Sequence, residues 1–416
     1  MEALVSAGVE DNLISSLDFS HAGVARYLLS SRHCIFPAES GNRFDSTSSR
    51  LLRFRIADTS TLECASCRVA FSLVNTTVNN AVPPVPIVLT PIAPASAIFK
   101  RARVFIGGQL AEDITDLGRV VCMYDKLKPN ARRSNDSIQG FALKDDGAYE
   151  DVPASASKRC IVDLPLGLLS QGKWLPMSLV SGGGVSIELE LDDAVSCFST
   201  AAAKWHLEEC QLFCTMHEVD AGMLNGLTDV FLGGNPIHIP YDGIACSRHL
   251  ITSSSFTINI ARSFTRLKSC LVTLHKNGVG KPVNSFFHPV QDQAVSNATD
   301  DLSYQCQIAS HKYPERHCKG LSEAFMRLRQ TAACFYGNDD VGITPQEFRK
   351  DSFIACMEFE RAGAQAFHTG ISTRNGQILT ISFENSGLGA AGDFAVVTLC
   401  YDAFAKLSQN GVEILE

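Results

Sequence analysis

The sequence predicts an all-β chain of two tandem β-sandwiches, with a few short helices in the connecting loops. Three observations point there. Apolar residues alternate with polar ones at period two in many short runs, helical runs are few, and the two halves repeat the same order of elements. Period-two alternation puts one strand face in a core and the other toward water. Many short strands with few helices are the pattern of sandwich architectures.

The composition supports a large folded core. Of 416 residues, 45% are hydrophobic and 19% charged, a globular balance. The net charge of −8 lacks the Lys and Arg excess that displaces counterions from a nucleic-acid backbone, so direct genome wrapping is not expected. Met1 to Glu10 lack the basic and apolar regions of a secretory signal. Val69 to Phe99 is long and uncharged, but Pro83, Pro84, Pro86, Pro91 and Pro94 exclude a membrane-spanning helix. It reads as a strand followed by a proline-rich loop. The 15 cysteines are scattered through apolar runs and are expected as reduced, core-filling thiols. The sequons at Asn75, Asn135 and Asn297 then read as chance matches.

Residues 1–46 stand apart. Leu13, Leu17, Val24, Tyr27 and Leu28 fall near helical spacing. The segment reads either as an N-terminal arm that docks on a partner or as a short helix capping its own domain. From residue 50 the pattern turns β. Leu52, Phe54 and Ile56 alternate with Arg53 and Arg55; Val69, Phe71 and Leu73 follow, and later Val185, Ile187, Leu189 and Leu191. Helices are expected at Thr115–Leu127, with Thr115 as N-cap, at Ala221–Leu232, and at Leu321–Ala333, with Ser322 as a cap. In the second half, Phe256, Ile258 and Ile260, then Leu379, Ile381 and Phe383, then Val397, Leu399 and Tyr401 carry the alternation.

The repeat is the most informative feature. Ser66-Cys67 corresponds to Ser269-Cys270, each preceded by a strand ending in Ile-Ala and followed by an alternating apolar strand. Phe99–Ile106 then matches Tyr304–Ser310, and helix 115–127 matches helix 321–333. Cys160–Leu166 matches Phe353–Phe359, Val185–Leu191 matches Gln377–Phe383, and Lys204–Glu218 matches Asp393–Tyr401. Duplication of one sandwich leaves this trace. It divides the chain into an arm (1–46), a first sandwich (47–220), a linker helix (221–234) and a second sandwich (235–416).

Motifs of catalysis are not evident. The Gly-x-Gly-Lys run at Gly278–Lys281 is followed by Pro282 and no helix, unlike a phosphate loop. Cys64-x-x-Cys67 has no second pair to complete a zinc site, and Cys210 and Cys214 are about 13 Å apart if extended. His238, His249, His275, His311 and His317 are dispersed. Asp192-Asp193 and Asp339-Asp340 read as solvated turns. No catalytic, cofactor-binding or metal-binding residue is assigned, and no cofactor is expected.

Several stretches nevertheless carry a likeness. Pro94 to Gln109 runs from a serine-containing link through a Phe to a strand ending at Ile106-Gly107-Gly108, followed by a helix bearing Tyr124. Gln305 to Pro314 ends in Lys312-Tyr313-Pro314. Ile343 to Phe348 leads to a strand ending Glu358-Phe359-Glu360, then Thr369-Gly370-Ile371-Ser372, and the chain closes with Gly411-Val412-Glu413-Ile414. In this order they resemble the double jelly-roll major capsid proteins of polinton-like viruses, adintoviruses, virophages and the adenovirus-like lineage, over roughly residues 47–416. The chain is shorter than many members and richer in cysteine.

The resemblance implies two tandem eight-stranded jelly rolls and a non-enzymatic virion protein. It implies homotrimeric, pseudo-hexameric capsomers, assembled in the host cell into an icosahedral shell with neighbouring capsomers and minor capsid or penton proteins. Loops 128–158, 276–302 and 361–376 would face outward or toward neighbouring capsomers. The competing reading is a tandem β-sandwich that binds or hydrolyses carbohydrate. That reading wants clustered aromatics and paired acids, whereas Trp174 and Trp205 are far apart in sequence.

Overall fold

The computed structural model describes residues 28–145, 147–180, 182–200, 202–278, 283, 285–289, 301–336, 340–359, 370–374 and 377–416. The helical spacing around Leu13–Tyr27 and most of loops 276–302 and 361–376 lie outside them.

The first half contains β1 (Leu28–Pro37), β2 (Arg43–Asp45), β3 (Leu51–Ile56), β4 (Thr61–Asn75), β5 (Phe99–Ile106) and β6 (Gln109–Ile114). Helices α1 (Leu117–Leu127) and α2 (Asn130–Ser137) follow, then β7 (Ser157–Val162), the one-turn α3 (Gly167–Ser170), β8 (Trp174–Pro176), β9 (Val185–Leu191), the one-turn α4 (Ala194–Cys197) and β10 (Trp205–Val219). One sheet has the order β1-β10-β4-β7, the other β3-β9-β5-β6.

Helix α5 (Ala221–Leu232) leads to the second half: β11 (Ile237–Leu250), β12 (Phe256–Ile260), β13 (Leu267–His275), β14 (Ser303–Ile308), β15 (His311–Lys319), α6 (Gly320–Tyr336), α7 (Pro345–Lys350), β16 (Ile354–Glu358), β17 (Leu379–Glu384), β18 (Phe394–Ser408) and β19 (Gly411–Leu415). Its sheets run β11-β18-β13-β16 and β12-β17-β14-β15. Setting aside β2, β8 and β19, which add to sheet edges or ends, the eight strands of each half occur in the same sequence and pair in the same order. Both also place a helix, α1 or α6, between the fifth and sixth of those strands.

The alternation explains the core. Leu52, Phe54 and Ile56 on β3 and Val185, Ile187, Leu189 and Leu191 on β9 are fully buried. They meet the opposite sheet through contacts such as Phe71 against Phe99, edge to face at 5.7 Å. In the second half Phe383 stacks between Phe256 (5.2 Å) and Tyr304 (5.4 Å). The outward residues of β3, β9 and β5 pair across strands: Glu188 bridges Arg53 and Arg103, giving the alternating charges a cross-strand role.

Several expectations are corrected. Residues 28–46 are not an arm: β1 pairs along β10 and β2 pairs with its start. Cys34 and Phe36 pack on the core while the rest of β1 is exposed; a strand buried on so little of one face has no readable period. Asp116, not Thr115, precedes α1. Helix α6 begins at Gly320, so Ser322 lies inside its first turn. Segment 128–158 is not a plain loop. It holds α2, buries Phe141, Tyr149 and Val152, and is tied back by Arg133 to Asp125 at 2.7 Å. Asn75 is 1% exposed and its amide donates to the carbonyls of Ile87, Val152 and Pro153, so that sequon is spent on loop closure. Among the described residues, no helix is long and apolar enough to cross a membrane.

Candidate assembly interface

The first half presents α1 to the second, and the side chains that do so are polar. Arg119, 3% exposed, reaches across to β13. Its Nε donates to Thr273 Oγ1 (2.8 Å) and one terminal nitrogen to the Leu274 carbonyl (2.8 Å). The guanidinium also lies over the rings of Phe286 (4.7 Å) and Phe394 (5.5 Å). Burial pulls its pKa down to about 9, so it stays charged at neutral pH. Two turns on, Lys126 donates to Ser352 Oγ (2.7 Å) and the Asp351 carbonyl (3.1 Å), and Tyr124 Oη meets Cys400 Sγ at 3.0 Å. Asp116 pairs with Arg248 on β11. Together these groups lay α1 across the outer face of the β11-β18-β13-β16 sheet.

Beside it, β6 and α3 meet β11. Tyr241 donates to the Ala111 carbonyl at 2.9 Å. Gly167 sits so close to the Asp242 carbonyl that an added Cβ would stand 1.8 Å from it. Glu112 is buried here. Its Oε1 accepts from the Ile244 amide (3.1 Å), while Oε2 has no partner. Burial pushes its carboxyl from 4.5 to about 8, against the pull of the Ile244, Gly167 and Leu168 amides. A cavity of about 390 Å³ adjoins this seam, lined by Tyr124, Tyr241, Asp242, Lys268 and Cys400 among others. Lys268 bridges Asp242 (2.9 Å) and Asp402 (3.3 Å) there.

Glu112 gives a prediction with a fixed sign. Unfolded, it ionises near 4.5; folded, near 8. Between those values the folded chain holds the extra proton, so the stability this group permits is full below pH 4.5 and is lost as pH rises through 8. Glu112→Gln keeps an acceptor for Ile244 and stays neutral. The variant is expected to match the parent at pH 5 and exceed it at pH 9, by on the order of a few kcal/mol. Thermal unfolding across pH checks this; parallel decline of both proteins would rule it out.

The corresponding sheet face of the first half is different. On β10, Glu208, Gln211, Phe213 and Thr215 are half-buried and Glu209 is exposed, whereas β18 is buried on both faces from Phe394 to Ala403. Arg159 spans that outer face of the first half, contacting the Glu209 carbonyl (2.9 Å) and Gln211 Oε1 (2.9 Å). Helix α6, the counterpart of α1, packs on its own β15 and β16 and leaves Ser322, Met326, Arg329 and Gln330 outward.

No known family pattern and no characterised protein matches this chain by sequence. Solved structures do match it in shape. PBCV-1 VP54, fitted into a reconstruction of the virophage Sputnik, aligns with a TM-score of 0.63 at 12% identity, over 94% of this chain and 98% of that one. A chain of the Sputnik virophage aligns at 0.60 with 10% identity, over 97% and 90%. The Faustovirus major capsid protein aligns at 0.59 with 8% identity, over 98% and 96%. The fold is the double jelly roll of viral capsid proteins. The likeness spans both sandwiches, so each half is one jelly roll, and α1, β6 and α3 lie where the first roll meets the second.

On the double jelly roll, the residues singled out in sequence fall apart from one another. Trp205 is buried against Phe198 (5.7 Å), while Trp174 stacks on His217 at 4.0 Å; neither lines the seam cavity. Asp193 pairs with Arg50 at 2.6 Å. His275 is buried beside Phe394 (4.5 Å), and burial lowers its pKa to about 4. Cys64 and Cys67 lie inside the first roll. Sequence reasoning missed Arg119, Lys126 and Glu112. A clue was available in the charged residues of an otherwise apolar helix, but solvated and buried charges look alike in sequence.

Proposed function

We propose that this chain is a viral major capsid protein that self-assembles into homotrimeric, pseudo-hexameric capsomers tiling an icosahedral shell in the virion. The supporting observation is the covered and uncovered pair of faces. Roll two has its outer sheet sealed by α1 of roll one, and roll one leaves the equivalent face open while roll two carries the equivalent helix α6. If α6 of one chain seals roll one of the next, each chain repeats outside itself the contact it makes inside. Three chains of two rolls then close a ring, the head-to-tail solution that symmetry allows. The open face is polar, which suits a surface exposed before assembly. The role is structural and needs no catalytic residue, and the net charge of −8 argues against sequence-specific nucleic-acid binding. The division at 47–220, 221–234 and 235–416 stands within this reading with the first roll extended back to β1. Minor capsid or penton proteins are the further partners.

The test is the mass of the purified protein in solution, followed by negative-stain microscopy of concentrated samples. A three-chain particle that builds shells supports the reading. A stable monomer that binds glycans would overturn it in favour of a carbohydrate-active sandwich. The arm also yields an expectation. Deleting residues 1–27 should lower shell yield. Deleting 1–40 should also remove β1 and cost solubility. Normal shell yield from the shorter deletion would end the arm's assembly role.

A further inference from the structure

Four cysteines of roll one meet across three neighbouring strands. On β1, Cys34 stands directly opposite Cys214 of β10. On the other side of β10, the β4 register jumps from Arg68 opposite Phe213 to Glu63 opposite Thr215. The bulge 64–67 therefore faces Cys214 alone. Ser66 holds the bulge, accepting from the Thr215 amide (2.7 Å) and donating to the Glu63 carbonyl (2.6 Å). Cys64 and Cys67 at its ends are buried, as is Cys214, while Cys34 is half-buried at the sheet edge. The Cys34 and Cys64 thiols are close enough to Cys214 to add to the burial that raises its pKa to about 12. Among the described residues no group of three or more potential ligands is arranged to hold a metal ion.

Directly opposed residues of an antiparallel pair have Cα atoms about 4.5–5.5 Å apart, within the roughly 4.4–6.8 Å span of a disulfide. Their side chains share a face. Strand β1 is the sheet edge, paired on one side only, and Cys34 is the more exposed of the two thiols, so reagent reaches it first.

We propose that Cys34 and Cys214 form a reversible cross-strand disulfide that fastens the edge strand β1 to β10 when the chain meets an oxidising disulfide such as oxidised glutathione. The Cys34 thiolate attacks one sulfur of that disulfide, whose S–S bond breaks and releases one glutathione thiolate. The Cys214 thiolate then attacks Cys34 Sγ and expels the second glutathione. Two protein thiols lose two protons and two electrons, and one oxidised glutathione becomes two reduced molecules. The second step is the slower, because Cys214 is buried and protonated until β1 opens.

The experiment uses the full-length purified protein without denaturant. One sample is held in oxidised glutathione and one in dithiothreitol; both are alkylated and peptide-mapped, with hydrogen exchange followed on β1. The expected result is a Cys34–Cys214 linked peptide, reversed by dithiothreitol, and exchange over residues 28–37 slowed roughly tenfold or more. Cys34→Ser should abolish both, and Cys214→Ala repeats the test should the serine variant not fold. No thiol consumption, a glutathione adduct resting on Cys34, or a bond between Cys64 and Cys67 would each overturn the proposal.

Discussion

Replacing Arg119 with alanine is expected to lower the stability of the chain by about 3–5 kcal/mol, the cost of a large buried side chain lost together with the partners it leaves unpaired. The side chain fills the space between β13, Phe286 and Phe394 and supplies donors to Thr273 and the Leu274 carbonyl. Without it a carbonyl is stranded away from water and a cavity opens on the seam between rolls. Asp116 keeps Arg248 as its partner, so no buried charge is orphaned and the loss stays in this range. Arg119→Lys should fall between, because an ammonium keeps the charge but not the planar fork. Urea unfolding read by Trp174 and Trp205 fluorescence measures the loss. Limited proteolysis at 221–234 should accelerate in parallel as the rolls separate. An unchanged midpoint and cleavage rate would show that Arg119 does not hold the rolls together.

Val272→Asp is expected to prevent recovery of soluble folded protein. Val272 is fully buried, in mid-strand on β13 between Ala355 of β16 and Val397 of β18. Burying a carboxylate there unpaired, or forcing it to take a proton, costs several kcal/mol. That is comparable with the whole net stability of a domain, about 5–15 kcal/mol. Leu250→Asp is the control. Leu250 ends β11 and is 75% exposed, so the same chemical change should shift stability by no more than about 0.5 kcal/mol. Soluble, cooperatively unfolding Val272→Asp protein would mean that this face of β13 is not inside.

The strands legible in sequence are mostly those whose faces are sandwiched. Strands β4, β5, β9, β10, β13, β14, β17 and β18 lie between neighbours or against the opposite sheet, and their alternation was readable. Of the eight strands that each half shares with the other, four went unread: β1, β6, β11 and β15. Every one of them is the edge of its sheet. Strand β15 is largely exposed, so burial imposes no period on it. Strand β11 carries Pro240 and Gly243, residues that argue against a strand except at an edge, where an unpaired amide costs nothing. Helix α7 shows the opposite case. Its Thr344 and Glu347 cap each other at 3.2 and 2.8 Å, a local device that needs no tertiary context.

By itself the sequence determined the β class, the sandwiched strands and the order in which they recur, because burial of one face writes a period of two into any strand that is covered. Only the tertiary structure decided which faces are sealed: that Arg119 and Glu112 lie between the rolls, that β1 completes the first roll, and that Cys34 stands opposite Cys214. Those pairings join residues up to 276 positions apart, as Tyr124 and Cys400 are. A contact between distant segments leaves no period in either of them, and a buried charge reads in sequence like one in water.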